Sequence, residues 1–409
     1  MMTYDVIVVG ARVAGAATAM LLARRGLRVL ALDRVAFPSD TISSHQVQLP
    51  GVALLHRWGL LDQIRASGAP PTREVRFDTP EVVLQGRFPQ HQGVDALYSP
   101  RRTVLDSVLV EAARAAGAQV RENFRVEELV FSDGRVTGVR GSERGGSSIV
   151  ESASLVVGAD GKHSMVAAAV GAASYRQRPV RAFASYTYWS GAPMIGGAIY
   201  QRPQRTVAVF PTNDNLTMVY VSAPLAEFGT FRADIEGHYL KTLDLCGDLG
   251  DRIRAATRAE RIRTTPDQPN TLRRSHGPGW ALVGDAGAVM DSISAQGISN
   301  ALRDAQLLAD AIAAGFDGTK PMAAALADHQ RRRDRAIIPM YDFTTGLTRF
   351  RPRLVETALL ASLQRKPGEV DRFLGVIAGA VPLDRYFAPA NALRLLGLRG
   401  LARLARGRV

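Results

Sequence analysis

Residues 6–33 of the chain read VIVVGARVAGAATAMLLARRGLRVLALD, and they decide the fold. Two apolar runs, Val6–Val9 and Val29–Leu32, flank an alanine- and leucine-rich stretch that ends at Gly26, a residue type that commonly follows a helix. Strands that are apolar on both faces are typical of a buried parallel sheet. The sequence therefore predicts a strand, a helix from Ala14 to Arg25 and a second strand, which together begin an α/β domain.

The turn between the first strand and the helix reads GARVAG and covers Gly10–Gly15. In a dinucleotide-binding fold, this turn brings a diphosphate against the N–H groups of a helix, where the helix dipole favours an anion. Arg12 replaces the usual middle glycine, so its side chain must point away or contact the diphosphate as a cation. Asp33 ends the second strand, at the spacing where an acid accepts hydrogen bonds from an adenosine ribose. The alternative interpretation is a helix-capping turn followed by a surface acid.

Two further Gly/Asp turns follow apolar strands. Gly158–Ser164 comes after the strand Leu155–Val157, and Gly284–Ala286 comes after the strand Trp280–Val283 and before a helix predicted from Ile298 to Ala313. Either turn alone would be consistent with an ordinary loop or a helix cap. Three such turns at the carboxyl ends of parallel strands should meet in one crevice, which is where open α/β sheets bind ligands.

The remaining pattern divides the chain. Thr103–Ala116 has helical periodicity, and the runs Val126–Phe131 and Val136–Val139 form a predicted hairpin. Alternating, aromatic-rich strands between about residues 180 and 221 indicate an inserted antiparallel sheet. We therefore predict a discontinuous first domain of residues 1–75, 98–172 and 270–340, an inserted sheet domain of residues 76–97 and 173–269, and a helical, basic region of residues 341–409.

The composition is that of a globular protein with an excess of arginine. Of 409 residues, 51 are basic and 38 are acidic, for a net charge of +13. The arginines are scattered and not interleaved with aromatic residues, which favours an anionic cofactor or substrate over nucleic acid. The single Cys246 excludes an intramolecular disulfide, the histidines lack metal-ligand spacing, and no apolar run is long enough to span a bilayer. We expect a cytoplasmic protein with no metal and no signal peptide.

Taken together, these motifs resemble those of FAD-dependent monooxygenases of the para-hydroxybenzoate hydroxylase type. The wider group includes flavin-dependent halogenases and geranylgeranyl reductases. The matching regions span roughly Tyr4–Gln46, Tyr98–Val170 and Trp280–Ala313. The resemblance implies an α/β fold: a Rossmann-like FAD-binding domain with an inserted antiparallel β-sheet substrate domain and a helical C-terminal region.

The resemblance also assigns site residues. FAD would be held by Gly10, Arg12, Val13, Ala14 and Gly15 at the diphosphate, Asp33 and Arg34 at the adenosine ribose, Arg102 beside the cofactor, Val126 at the adenine, Asp160 of the DG motif, Gly284 and Asp285 at the ribityl-diphosphate, and Gln296, Gly297 and Ile298 at the helix end facing the ring. Three positions depart from the family pattern: Ala167 stands at a usual arginine, Ser292 at a usual proline and Ala295 at a usual glycine.

The implied activity is NAD(P)H-driven reduction of the flavin, formation of a C4a-hydroperoxide with dioxygen, and hydroxylation or epoxidation of a small aromatic or other electron-rich substrate. Aromatic side chains of the inserted sheet are expected to contact that substrate: Tyr186, Tyr188, Tyr200, Phe210 and Tyr220. Because side chains alternate along strands, only about half can face one pocket, and ordinary core packing is the alternative. We predict that His45 has a pKa near neutrality and relays protons; a hydrogen-bonded structural histidine is the alternative.

Other functions are open. A reductase or dehydrogenase acting on a polyprenyl or other unsaturated substrate would use the same cofactor, and the basic C-terminal tail would then contact a membrane. A halogenase is disfavoured because the chain has neither its tryptophan-rich signature nor an obviously placed lysine. A flavin-binding protein without turnover is a further alternative. The chain is expected to be a monomer or a homodimer.

Overall fold

The computed structural model describes residues 4–143, 145–351 and 354–405. Its strands are β1 (Tyr4–Val9), β2 (Val29–Leu32), β3 (Pro71–Thr72), β4 (Glu74–Asp78), β5 (Val83–Arg87), β6 (Leu97–Tyr98), β7 (Gln119–Arg121), β8 (Phe124–Ser132), β9 (Arg135–Glu143), β10 (Ser148–Gly158), β11 (Ser174–Arg178), β12 (Ala182–Ser190), β13 (Gly197–Arg202), β14 (Arg205–Pro211), β15 (Thr217–Pro224), β16 (Thr257–Arg258), β17 (Arg263–Thr265), β18 (Asn270–Arg273), β19 (His276–Gly277), β20 (Trp280–Leu282) and β21 (Ala288–Val289).

Its helices are α1 (Val13–Ala23), α2 (Leu49–Arg57), α3 (Leu61–Ala66), α4 (Arg102–Ala115), α5 (Met165–Ala169), α6 (Phe228–Ala233), α7 (Ile235–Leu243), α8 (Leu249–Arg254), α9 (Gly297–Phe316), α10 (Met322–Leu347), α11 (Leu354–Leu363), α12 (Pro367–Ile377), α13 (Leu383–Tyr386) and α14 (Pro389–Ala405). Short 3₁₀ turns cover Leu225–Glu227, Gly284–Ala286 and Ser292–Ser294.

The first sheet has a parallel centre. β1 pairs in parallel with β10 and β2, β2 pairs with β7, and β10 pairs with β20. α1 lies over this sheet with every residue buried and packs against α4 and α9. The two apolar runs of the opening stretch form β1 and β2. They are buried because each strand is covered on both faces, as their composition predicted. The Rossmann-like part of the predicted fold is confirmed.

The second sheet has the order β16-β12-β15-β14-β13-β4-β5, with β17 also pairing to β12. Its pairs are antiparallel except β13 with β4, which run parallel. Several elements differ from the predicted domain boundaries, and two of them are informative. β11 pairs with β18, which pairs with β21 in a separate three-stranded sheet, so β11 is not part of the inserted sheet. α10 crosses the predicted boundary at residue 340 because its buried face continues from Ile337 to Tyr341 and Thr344.

The basic C-terminal segment is docked. α14 packs on α11, and Leu395 and Leu396 are buried. Arg394 pairs with Glu369 at 2.7 Å, while Gly397 has a φ of 58° and interrupts the helix. The last residues of the predicted tail, 406–409, lie outside the described residues. Over the part of the chain that is described, we find no helix with the length and hydropathy needed to cross a bilayer.

Candidate flavin site and substrate chamber

The turn between β1 and α1 leaves no room for side chains at its glycines. Gly10 has a φ of 97°, and a Cβ there would lie 2.5 Å from the carbonyl oxygen of Ala159. A Cβ at Gly15 would lie 1.8 Å from the carbonyl oxygen of Gly10. The close approach leaves the first amides of α1 facing the turn, with no acidic residue in that helical turn. The backbone therefore forms a site suited to an anion.

The Arg12 side chain does not extend into solvent but is hydrogen-bonded within the protein. Its guanidinium donates to Asp106 Oδ2 at 2.6 Å and to the carbonyl oxygen of Ser39 at 3.2 Å. Asp106 also accepts two hydrogen bonds from Arg102, each at 3.0 Å. The Asp106 side chain is completely buried; this burial raises its pKa, and the two guanidinium groups oppose the rise. A carboxylate to which sequence analysis gave no role thus holds two predicted cofactor residues side by side.

Asp33 ties the end of β2 to the same turn. Its Oδ2 accepts from the amide of Ala11 at 2.7 Å, and its Oδ1 accepts from the amide of Val35 at 3.1 Å. The carbonyl oxygen of Asp33 accepts from the amide of Phe124 at 2.8 Å, which brings the start of β8 against β2. Val126 follows two residues later and is half-buried, and Arg34 is exposed. The predicted adenosine contacts are therefore neighbours in space.

The three Gly/Asp turns lie at adjacent strand ends. The amide of Ala159 donates to Val9 at 2.8 Å, and the amide of Val283 donates to Gly158 at 3.0 Å. Asp160 accepts from the Ser164 hydroxyl at 2.5 Å and from the amide of Val166 at 3.1 Å, so it organises its own turn. The turns that follow β1, β10 and β20 therefore lie side by side at one edge of the sheet, as predicted.

Two residues that sequence analysis missed hold the third turn. Gly284 has a φ of 62°, and its amide donates to Asp304 Oδ2 at 2.8 Å. Asp304 Oδ1 is 2.7 Å from Nε2 of His329, and both side chains are buried. Burial alone would raise the pKa of Asp304, but His329, Arg333 and the Gly284 amide outweigh it, so the pKa lies below its ordinary value. This network leaves Asp285 exposed at the turn.

The N-terminus of α9 borders an open space. Ala295 is left-handed with a φ of 52°, Gln296 follows and donates to the carbonyl oxygen of Ile377 at 2.9 Å, and the helix begins at Gly297. A Cβ at Gly297 would meet no atom within 4 Å. The amides of Gly297 and Ile298 have no intrahelical acceptor, and the first turn has no acidic residue. This helix end can stabilise negative charge.

These features fit FAD. The glycine turn with Arg12 suits a diphosphate, Asp33 suits a ribose, and the N-terminus of α9 suits the anionic part of a reduced flavin ring. A family model described as FAD binding domain matches residues 3–339.

The chain belongs to this FAD-binding family. The family is that of para-hydroxybenzoate hydroxylase-type monooxygenases and flavin-dependent halogenases, so the resemblance found in the sequence is confirmed.

Relatives of this FAD-binding protein have different activities. Tryptophan 2-halogenase of Chondromyces crocatus is 25% identical over 344 residues, which cover 80% of this chain but only 64% of the halogenase. Digeranylgeranylglycerophospholipid reductase of Methanocella arvoryzae is 26% identical, covering 76% of this chain and 77% of the reductase. The structure of PqsL, a probable FAD-dependent monooxygenase from Pseudomonas aeruginosa, superposes with a TM-score of 0.71 at 21% identity, covering 91% and 99% of the two chains.

A cavity of about 850 Å³, here called the chamber, lies between the inserted sheet and the C-terminal helices α10–α12. Its walls are largely apolar and include Phe77, Phe88, Phe210, Phe343, Leu360 and Phe373. Gln46, Gln48, Ser292 and Ser294 are among its polar lining, and Ala295 joins it to the start of α9. No lysine is among the described residues that line it.

The aromatic predictions divide by strand face. Phe210 and Tyr220 line the chamber. Tyr186 and Tyr188 share their face of the sheet, but residues 40–46 cover them: the Tyr186 hydroxyl accepts from the amide of Ser43 at 3.3 Å. Tyr200 lies on the other side of the sheet from the chamber. Tyr200 pairs with Val207 and packs on the opposite face, so its side chain does not reach the chamber.

The prediction for His45 is also corrected. The residue is fully buried with a φ of 57°, its Nε2 is hydrogen-bonded to the Tyr188 hydroxyl, and it does not line the chamber. Burial, together with nearby Arg102, Arg101 and Arg263, lowers the pKa of His45 well below its ordinary value. The enclosed imidazole connects the loop to the sheet through Tyr188, and its lowered pKa favours the neutral form over the charged one.

Proposed function

We propose that this protein is an NAD(P)H-dependent FAD monooxygenase that hydroxylates or epoxidises a small aromatic or other electron-rich substrate. The observation that carries the proposal is the largely apolar chamber, which has no lysine among its described lining residues and meets the N-terminus of α9 at Ala295. When bound, FAD would supply the redox chemistry, which is the acceptance of hydride from NAD(P)H and the activation of dioxygen.

The protein's own residues have three tasks. Gly10, Arg12 and Asp33 hold and orient the cofactor through its diphosphate and ribose. The amides of Gly297 and Ile298 offer fixed dipoles where negative charge develops on the ring. The aromatic walls of the chamber bind the substrate and exclude water from the reacting atoms. No protein nucleophile is needed, because the cofactor provides the reagent.

The lysines favour oxygen insertion over halogenation. Lys162 pairs with Asp267 at 2.9 Å, Lys320 pairs with Asp328, and Lys366 donates to the carbonyl oxygen of Leu395 at 2.6 Å. Lys241 lies on α7, a helix that packs on the face of the inserted sheet away from the chamber. None of them lines the chamber, so the amine expected of a halogenase has no counterpart there.

A reductase is the second candidate. The size of the chamber and its apolar walls would also accommodate an unsaturated chain, and the archaeal reductase matches over most of both sequences. In that case the substrate would receive hydrogen, and no oxygen atom would enter it.

Labelled dioxygen separates the two. The FAD-loaded protein would be incubated with NAD(P)H, ¹⁸O₂ and a panel of phenols, indoles and alkenes, with a parallel series under nitrogen. We expect NAD(P)H oxidation and one ¹⁸O atom in the product under ¹⁸O₂, and no product under nitrogen. A reduced product that forms equally well without dioxygen would refute the monooxygenase and support the reductase.

A further inference from the structure

Near the start of α9, two polar residues of the chamber wall belong to a chain of three hydrogen-bonded side chains. The Tyr220 hydroxyl is 2.9 Å from Ser292 Oγ, and Ser292 Oγ is 2.5 Å from Gln268 Oε1. Tyr220 and Ser292 both line the chamber, and Gln268 lies behind them, almost completely buried. Ser292 stands three residues before Ala295, so this end of the chamber is close to the start of α9.

The direction of these hydrogen bonds follows from counting protons. The backbone amide of Ser292 also donates to Gln268 Oε1, at 3.2 Å. This contact identifies the Gln268 atom as the acceptor oxygen, since a flipped amide would place donor against donor. Ser292 has one hydroxyl proton, and it is committed to Gln268. Tyr220 must therefore donate its own proton to Ser292, which leaves its oxygen as an acceptor only.

The other polar groups around the Tyr220 oxygen do not change the direction of its hydrogen bond to Ser292. The Ser222 hydroxyl donates to the carbonyl oxygen of Phe183 at 3.3 Å. Gln268 Nε2 has no partner among the described residues and is itself a donor. Burial raises the pKa of Tyr220, so the phenol stays neutral across the physiological range. Because the chain ends at an amide, which does not accept a proton at these pH values, it orients a hydrogen bond and does not relay a proton.

We propose that Tyr220, oriented by Ser292 and Gln268, is a specificity-determining acceptor that selects substrates carrying an O–H or N–H donor on an apolar body. The inference rests on the proposed function, in which the chamber holds the substrate. A phenol, an alcohol or an arylamine would donate to Tyr220, and its apolar part would extend along the aromatic walls. The corresponding methyl ether would leave the Tyr220 oxygen facing another acceptor.

The test compares 4-hexylphenol with its methyl ether, 4-hexylanisole, which has no O–H donor; the Tyr220→Phe variant controls for the size of the added methyl group. Their binding to the oxidised, FAD-loaded protein would be titrated by the change in flavin absorbance, without NAD(P)H. We expect the wild type to bind the phenol about tenfold more tightly, which is the scale of one neutral hydrogen bond. Tyr220→Phe should remove the preference. Ser292→Ala should also remove or reverse it, because Tyr220 can then turn its proton toward the chamber.

Ser294→Ala is the matched control. Ser294 lines the same chamber but is hydrogen-bonded to Thr344 at 2.7 Å and not to Tyr220, so the phenol preference should persist. Equal binding of both probes to the wild type, no binding of either, or an undiminished preference in Ser292→Ala would overturn the inference. The ¹⁸O experiment measures transfer and this titration measures recognition, so either proposal can fail without the other.

Discussion

Asp291 offers the sharpest prediction because its carboxyl group is buried without a counter-ion. Its Oδ1 accepts from the amide of Ile293 at 3.0 Å, while its Oδ2 has no partner among the described residues. Burial raises the pKa of Asp291 from 3.8 to about 7, against the opposing hydrogen bond from Ile293. In the unfolded chain the group is ionised above about pH 4, whereas in the folded protein it stays protonated until about pH 7.

The sign and size of the effect follow from this difference. Between about pH 4 and pH 7 the folded state binds one more proton than the unfolded state, so stability falls as the pH rises and then stays flat. The full loss is about 4 kcal/mol, of which about 2 kcal/mol lies between pH 5.5 and 7. For a chain of this length, about 2 kcal/mol corresponds to a fall in Tm of about 2 °C.

Asp291→Asn removes the titrating group and keeps an oxygen to cap Ile293. Scanning calorimetry of the FAD-loaded proteins from pH 5.5 to 8 should show the variant gaining about 2 °C on the wild type as the pH rises through 7. Asp251→Asn, at a side chain that is 93% exposed, should track the wild type throughout. A constant difference in Tm between Asp291→Asn and the wild type across this range would refute the reasoning.

Three further predictions concern the cofactor turns. Gly10→Ala should be isolated with little FAD, judged by absorbance near 450 nm, because its Cβ would lie 2.5 Å from the Ala159 oxygen. Gly26→Ala, where the φ of 81° is similar but the space is open, should keep its FAD and lose only about 1 kcal/mol of stability. Equal FAD content in the two variants would contradict the packing argument. Arg12→Ala should weaken FAD binding about tenfold in a fluorescence titration, whereas Arg57→Ala on the exposed side of α2 should leave the affinity unchanged. An unchanged affinity in Arg12→Ala would show that the guanidinium does not contribute to binding the diphosphate. Asp304→Ala should lose about 3 kcal/mol or more in urea unfolding because it leaves His329 and the Gly284 amide unpaired, and a loss no greater than that of Asp310→Ala would argue against the network.

Much of the first domain was predictable because its signals are local. The apolar runs at Val6–Val9 and Val29–Leu32 reported burial on both faces, and the helix predicted from Ile298 to Ala313 is Gly297–Phe316 in the structure. The three Gly/Asp turns were each ambiguous alone. Their convergence was predictable because parallel strands place their carboxyl ends on one edge.

The failures involve information that is not local. Tyr200 has the same alternating context as Tyr220, and which face it takes depends on the register of β13 with β14. Nothing in the sequence around His45 indicates its environment. Its lowered pKa arises from burial and from nearby Arg102, Arg101 and Arg263, which are distant in sequence. Asp304 and His329 lie 25 positions apart and on different helices, so no spacing rule pairs them. Sequence periodicity reports which residues are buried, but not which partners they meet.

Arg12 in the first turn and Ser292 before α9 raise the same physical question. Arg12 stands at the usual middle glycine of a dinucleotide-binding turn, and Ser292 stands at the family's usual proline, so each places a polar side chain where the usual residue has none. Such a side chain destabilises a crowded site unless a partner satisfies it. Each has one: Asp106 accepts from Arg12, and Gln268 accepts from Ser292. Reverting Ser292 to proline would remove the amide donor and the hydroxyl at once, leaving both Gln268 and Tyr220 unsatisfied in the core. We therefore expect Ser292→Pro to be less stable than Ser292→Ala, although proline is the residue the family prefers at this position.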